Sequence, residues 1–143
     1  MATPSARRST LAQAAPPASR STGTIILGGG ATIAAAFAEF AKRLIALAGG
    51  PDATIVIIPT ANESFPPALR SLRAPTTPEQ VRGWLAAQGA HRVVLLHTRD
   101  RKIANFPGFA SVLKTTKAVW IPGGRSTVVE QTYRGTLVER ELE

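Results

Sequence analysis

The sequence predicts an α/β fold: a doubly wound, mainly parallel sheet of about four or more strands flanked by helices. Three observations carry that prediction. Short β-branched apolar runs recur without an alternating polar partner, the pattern of strands buried on both faces. Stretches with helical spacing separate the runs, as parallel pairing requires. The runs end in Gly- or Pro-bearing turns or in polar loops, where an open α/β sheet carries its ligand site.

The elements follow in order. Thr24-Ile25-Ile26-Leu27 reads as a buried strand meeting the Gly28-Gly29-Gly30 turn. Ala31 to Ala48 reads as a helix, with Phe37, Phe40, Leu44 and Leu47 at helical spacing and Gly49-Gly50-Pro51-Asp52 as its stop. Thr54 to Ile58 is a second continuous strand, closed by Pro59. Asn62 to Pro78 is a proline-bearing loop with a possible helical turn at Ala68 to Leu72. Thr77-Pro78-Glu79-Gln80 then offers an N-cap with proline at the first helical position, and Gly89 ends that helix. Val93 to Leu96 is the third strand. Ile103 to Lys114 is a third helix, with a break expected near Pro107-Gly108. Ala118 to Ile121 is the fourth strand, and Thr127 to Leu142 the fourth helix.

Residues 1–22 are rich in Ala, Pro, Ser and Thr without periodicity and read as a disordered arm. Residues 23–143 form the α/β domain. Arg7-Arg8 followed by Leu11 to Ala15 faintly matches a twin-arginine export signal, but Gln13 and Pro16 interrupt its apolar stretch. A cytoplasmic location is favoured, with export left open.

Seventeen basic residues against nine acidic ones give a formal charge of +8. The arm holds Arg7, Arg8 and Arg20 and no acid, and the other basic residues are scattered apart from Arg99, Arg101 and Lys102. Basic residues interleaved with aromatics, as single-strand binders use, are not seen, so no nucleic-acid partner is expected. No apolar run approaches the roughly 20 residues of a membrane span. The absence of cysteine excludes disulfides, a thiolate nucleophile and Cys-ligated metal. His91 and His97 with one nearby carboxylate match no metal-ligand spacing, so neither metal nor cofactor is expected.

The glycine turns are weighed individually. Gly28, Gly30 and Ile33 break the G-x-G-x-x-G fingerprint, which favours a tight strand-to-helix turn over a phosphate loop. His97 and Asp100, beside Arg99, can be drawn as an acid/base pair, but a hydrogen-bonded loop support is the favoured reading. Gly123-Gly124-Arg125-Ser126 follows the last strand. Glycine leaves backbone N–H groups open to an anion or a polarised carbonyl. Ser126 reads equally as a substrate contact or as the N-cap of the last helix.

Taken in order, Gly23 to Gly30, Ile57-Ile58-Pro59-Thr60-Ala61, Leu96-His97-Thr98-Arg99-Asp100-Arg101, Trp120 to Arg125 and Tyr133-Arg134-Gly135-Thr136 resemble the cyanophycinase/dipeptidase E family of serine peptidases. The resemblance implies a class I glutamine-amidotransferase-like fold, truncated here. It assigns the Gly123-Gly124 loop to the oxyanion hole and substrate contact. It places the serine nucleophile and catalytic histidine beyond Glu143, so that neither His91 nor His97 is catalytic and the chain alone is expected to be inactive. The unpaired sheet edge this leaves is expected to favour poor solubility or association. The family commonly carries glutamine where this chain has Ser126.

For the complete protein the resemblance implies acyl-enzyme hydrolysis of acidic, Asp-containing peptides, with a homodimer as the assembly. Arg125, with Arg99 or Arg101, then becomes the candidate carboxylate partner. Two other readings stand beside it. One is a non-catalytic α/β module for an acidic ligand or nucleotide. The other is a subunit completed by a second chain.

Overall fold

Four residues of unbroken aliphatic character, Ile55 to Ile58, are at most 1% exposed because their strand lies in the middle of a sheet covered on both sides. A computed structural model describes residues 34–64 and 78–143, together with Thr24 and Ile26. Its elements are α1 (Ala34–Ala48), β1 (Thr54–Ile57), a 3-10 turn (Pro59–Ser64), α2 (Pro78–Ala87), β2 (Arg92–Leu95), α3 (Arg101–Ala104), α4 (Pro107–Ala110), a second 3-10 turn (Ser111–Thr115), β3 (Ala118–Trp120), α5 (Ser126–Tyr133) and α6 (Leu137–Leu142).

Among the described residues the sheet has three strands in the order β2-β1-β3, all parallel. Thr54 pairs with Arg92 and Ile57 with Leu95 on one side, and Ile55 with Ala118 and Ile57 with Trp120 on the other. Ladder bonds run one residue further, from Ile58 N to Trp120 O at 2.9 Å and from Leu96 N to Ile57 O at 2.9 Å. The strand expected at Thr24–Leu27 and the Gly28–Gly30 turn lie outside the described residues, except that Ile26 packs against the first core cluster. The arm and residues 65–77, with the helical turn expected there, also lie outside them.

Strand alternation divides the core in two. Ile55 and Ile57 face α1 and α2, where Ala41, Leu44, Ile45, Ala48, Val81 and Leu85 complete one cluster. Trp84 and Trp120 close it with Phe37, at ring separations of 5.4 to 6.2 Å. Val56 and Ile58 face the other way, toward Leu96, Ala104, Ala110, Leu113, Tyr133 and Val138. The topology explains the division. The chain steps from β1 to β2 in one direction and from β2 across β1 to β3 in the other. Crossovers of a single hand place those two connections on opposite faces. The sheet is thus covered by helices on both sides.

Several element boundaries correct the sequence reading. On α1, Leu47 is 46% exposed, and Ala41, Ile45 and Ala48 carry the buried stripe with Leu44. Asn62 to Ser64, expected as the start of a loop, belong instead to a 3-10 turn that begins at Pro59. The helix expected at Ile103–Lys114 breaks near Pro107 as anticipated, but it starts at Arg101 and ends in a 3-10 turn, giving three short pieces. Pro107 lacks the N–H that would continue α3, and Phe106 before it is extended at φ −83°, ψ 125°. The helix expected at Thr127–Leu142 is also interrupted. Gly135 turns at φ +70° between α5 and α6, and the Arg101 guanidinium takes the carbonyls of Gln131 and Arg134 at 2.8 and 2.7 Å.

Candidate functional site

β1 and β3 are neighbours whose onward chains lead to opposite faces, β1 toward α2 and β3 toward α5. A crevice must open where strand order reverses in this way, beyond the strand C-terminal ends. A cleft of about 580 Å³ lies there, lined by Ile58 and Ala61 after β1, the Ile121 to Gly124 turn after β3, and residues of α5 and α6.

The turn is held by its approach to the β1 connection. A Cβ on Gly124 would lie 2.2 Å from the Ala61 carbonyl oxygen and 2.4 Å from its carbon, so only glycine fits without displacing backbone. The next residue, Arg125, donates its N–H to that same oxygen at 3.2 Å. The Arg125 N–H is therefore spent inside the fold. The N–H groups of Gly123 and Gly124 have no acceptor among the described residues, and both residues are exposed on the cleft.

Behind the cleft lies a polar cluster that joins three elements. Thr60, fully buried, stands 2.7 Å from the Tyr133 hydroxyl and 3.0 Å from His97 Nδ1. The Tyr133 hydroxyl also lies 3.3 Å from both N and O of Thr98. Either hydroxyl can donate along this chain, and the direction follows the His97 tautomer. No buried side-chain polar atom among the described residues lacks a partner. Burial is the main cause that raises the Tyr133 phenol above its ordinary value, against the lowering effect of the Thr60 and Thr98 hydrogen bonds.

Of the residues expected at the site, Gly123, Gly124 and Ser126 line the cleft, while Arg125 is exposed and lies outside the lining. Ser126 is not the N-cap. Arg125 holds that position in extended backbone and accepts the Val128 N–H at 3.1 Å, which leaves Ser126 as the first helical residue. His97 supports a loop through Thr60. Asp100 caps α3, accepting the Lys102 N–H at 2.8 Å, while its own N–H donates to Thr98 Oγ1 at 3.0 Å. Arg99 is exposed. Arg101, expected near a ligand carboxylate, is committed to the end of α5.

The sequence reading gave no role to Glu130 or Glu139, and it named Thr60, Thr98 and Tyr133 only as members of longer segments, with no role of their own. One signal was available: Thr60 is a polar residue directly after an unbroken apolar strand and its closing proline. Tyr133, the single tyrosine of the chain, carries no local mark of its partner 73 residues away.

Fold and site together define a parallel α/β protein with a cleft at the reversal of its strand order. No family model and no curated protein matches the sequence.

Proposed function

We propose that the chain forms the substrate-holding half of a serine-peptidase site of the cyanophycinase/dipeptidase E kind, within a doubly wound, class I glutamine-amidotransferase-like fold. One observation supports this above the rest: two glycine N–H groups with no acceptor among the described residues stand on a cleft at the strand-order reversal. In acyl transfer the scissile carbonyl oxygen gains negative charge. Fixed N–H donors aimed at it lower the barrier without reorganising. Gly124, clamped against Ala61, gives that rigidity. Ile58, Ile121 and Pro122 beside it exclude water from a bound peptide.

No histidine is among the described residues that line the cleft, so Ser126 on its wall has no imidazole there to activate it. The resemblance puts the nucleophile and histidine elsewhere. A second reading, a non-catalytic module for an acidic ligand or nucleotide, is favoured by Arg125, an exposed guanidinium next to the turn with no partner among the described residues.

Protein purified from its native source distinguishes the two. Hydrolysis of peptides together with serine labelling by a fluorophosphonate probe is the expected result. Neither hydrolysis nor labelling, with Gly123 and Gly124 amide resonances unmoved by peptide, would overturn the peptidase reading.

A further inference from the structure

The lining of the cleft is uneven in a way that bears on what enters it. Its apolar part is aliphatic and aromatic: Ile58, Ile121, Pro122, Val129, Tyr133 and Leu142. Its charged part is Glu130, Glu139 and Arg134. The one cation among the described lining residues is paired within the wall, because Arg134 Nη1 meets Glu130 Oε1 one helical turn back. Glu139 Oε2 accepts the Gly135 N–H at 2.6 Å. Each carboxylate therefore keeps one oxygen, Oε2 of Glu130 and Oε1 of Glu139, with no partner among the described residues. Among the described lining residues a carboxylate entering the cleft would meet two like charges and one cation already paired with one of them.

We propose that this cleft takes a lysine-type side chain of a bound peptide, its methylene stem on the apolar wall and its ammonium between the open oxygens of Glu130 and Glu139. The assignment rests on the peptide-holding reading above and gives that site its side-chain preference. An ammonium suits two half-occupied carboxylates better than a guanidinium does. It is a compact charge with three donors on a rotatable stem, whereas the guanidinium fork is satisfied by both oxygens of one carboxylate. The chain's net charge of +8 does not oppose this at close range. At physiological salt, charges beyond about 8 Å are largely screened, and the lining decides.

Three otherwise identical short peptides, carrying lysine, norleucine or glutamate at one position, are titrated into the full chain by calorimetry with the Gly123 and Gly124 amides followed by NMR. Norleucine keeps the stem and removes the charge. The lysine peptide is expected to bind about two- to five-fold more tightly than the norleucine peptide, the range for exposed ion pairs, and the glutamate peptide weakest. E130Q and E139Q should each shrink the lysine-over-norleucine ratio. Glutamine still accepts the Gly135 N–H, so E139Q keeps the α6 contact.

Equal or tighter binding of glutamate, or an unaltered lysine preference in both variants, overturns the assignment. If the glycine amides still shift with any peptide in that case, the peptide-holding reading stands without the preference. If no peptide binds, both fall.

Discussion

Gly124 and Tyr133 decide the site at the scale of single residues. Gly124→Ala inserts a methyl group into the Ala61 carbonyl, which forces backbone apart and breaks the Arg125 N–H bond to it. The expected cost is about 2–4 kcal/mol, read as a fall in the urea midpoint, together with a shift of the Ala61 and Arg125 amide resonances. A midpoint within experimental error of wild type would show that the turn is not clamped there. Gly123 meets nothing within 4 Å where a Cβ would stand and is the matched control.

Tyr133 carries a pH signature of definite sign. Its folded pKa is raised above the ordinary value of about 10, so the native state holds the phenolic proton where the unfolded chain releases it. The stability this contributes is fully present below the unfolded value. It is lost as pH climbs from there toward the raised folded value. Denaturant midpoints measured from pH 8 to pH 11 should therefore fall more steeply for wild type than for Tyr133→Phe. Parallel slopes would remove Tyr133 as the cause.

At the scale of elements, helix length is set by what each end can bond to. Periodicity across Thr127–Leu142 is helical, yet the run breaks because Gly135 adopts φ +70° and Arg101 supplies donors to the carbonyls left open at Gln131 and Arg134. The break turns α6 so that Val138 is buried in the second cluster. Gly135→Ala keeps all contacts, since the nearest atom to a new Cβ is Arg101 Nη2 at 3.9 Å. Its cost is conformational, about 1–2 kcal/mol for a left-handed alanine, measured as a change in the denaturation midpoint with an unchanged m-value. A neutral or stabilising substitution would mean that the turn relaxes to a regular helix.

The same rule accounts for the corrections around Pro107. Proline made the interruption legible in the sequence, but the start of α3 at Arg101 was missed. Asp100 was weighed there as an acid/base candidate, whereas its carboxylate bonds the Lys102 N–H as a cap. An aspartate three residues before a helical run that opens on Ile103 has the same sequence appearance in either role.

At the scale of the whole molecule, the continuous apolar runs at residues 54–58, 93–96 and 118–121 identified the three described strands to within a residue. Burial on both faces leaves no alternation to misread. Their parallel order followed from the intervening helices. The Gly123-Gly124 turn was legible as a place of close backbone approach beyond a strand end, and it does line the cleft. What the sequence determined, then, is composition-driven and local: which runs are strands, where helices stop, and which turn can approach a ligand. Only the tertiary structure decided the wall of the cleft. Thr60 meets Tyr133, Gly124 meets Ala61, and Glu139 joins Ile58 in the lining because parallel crossovers bring together residues that lie between 63 and 81 positions apart in the chain. Such contacts depend on strand order and on the face each helix takes, and neither is written in any local pattern.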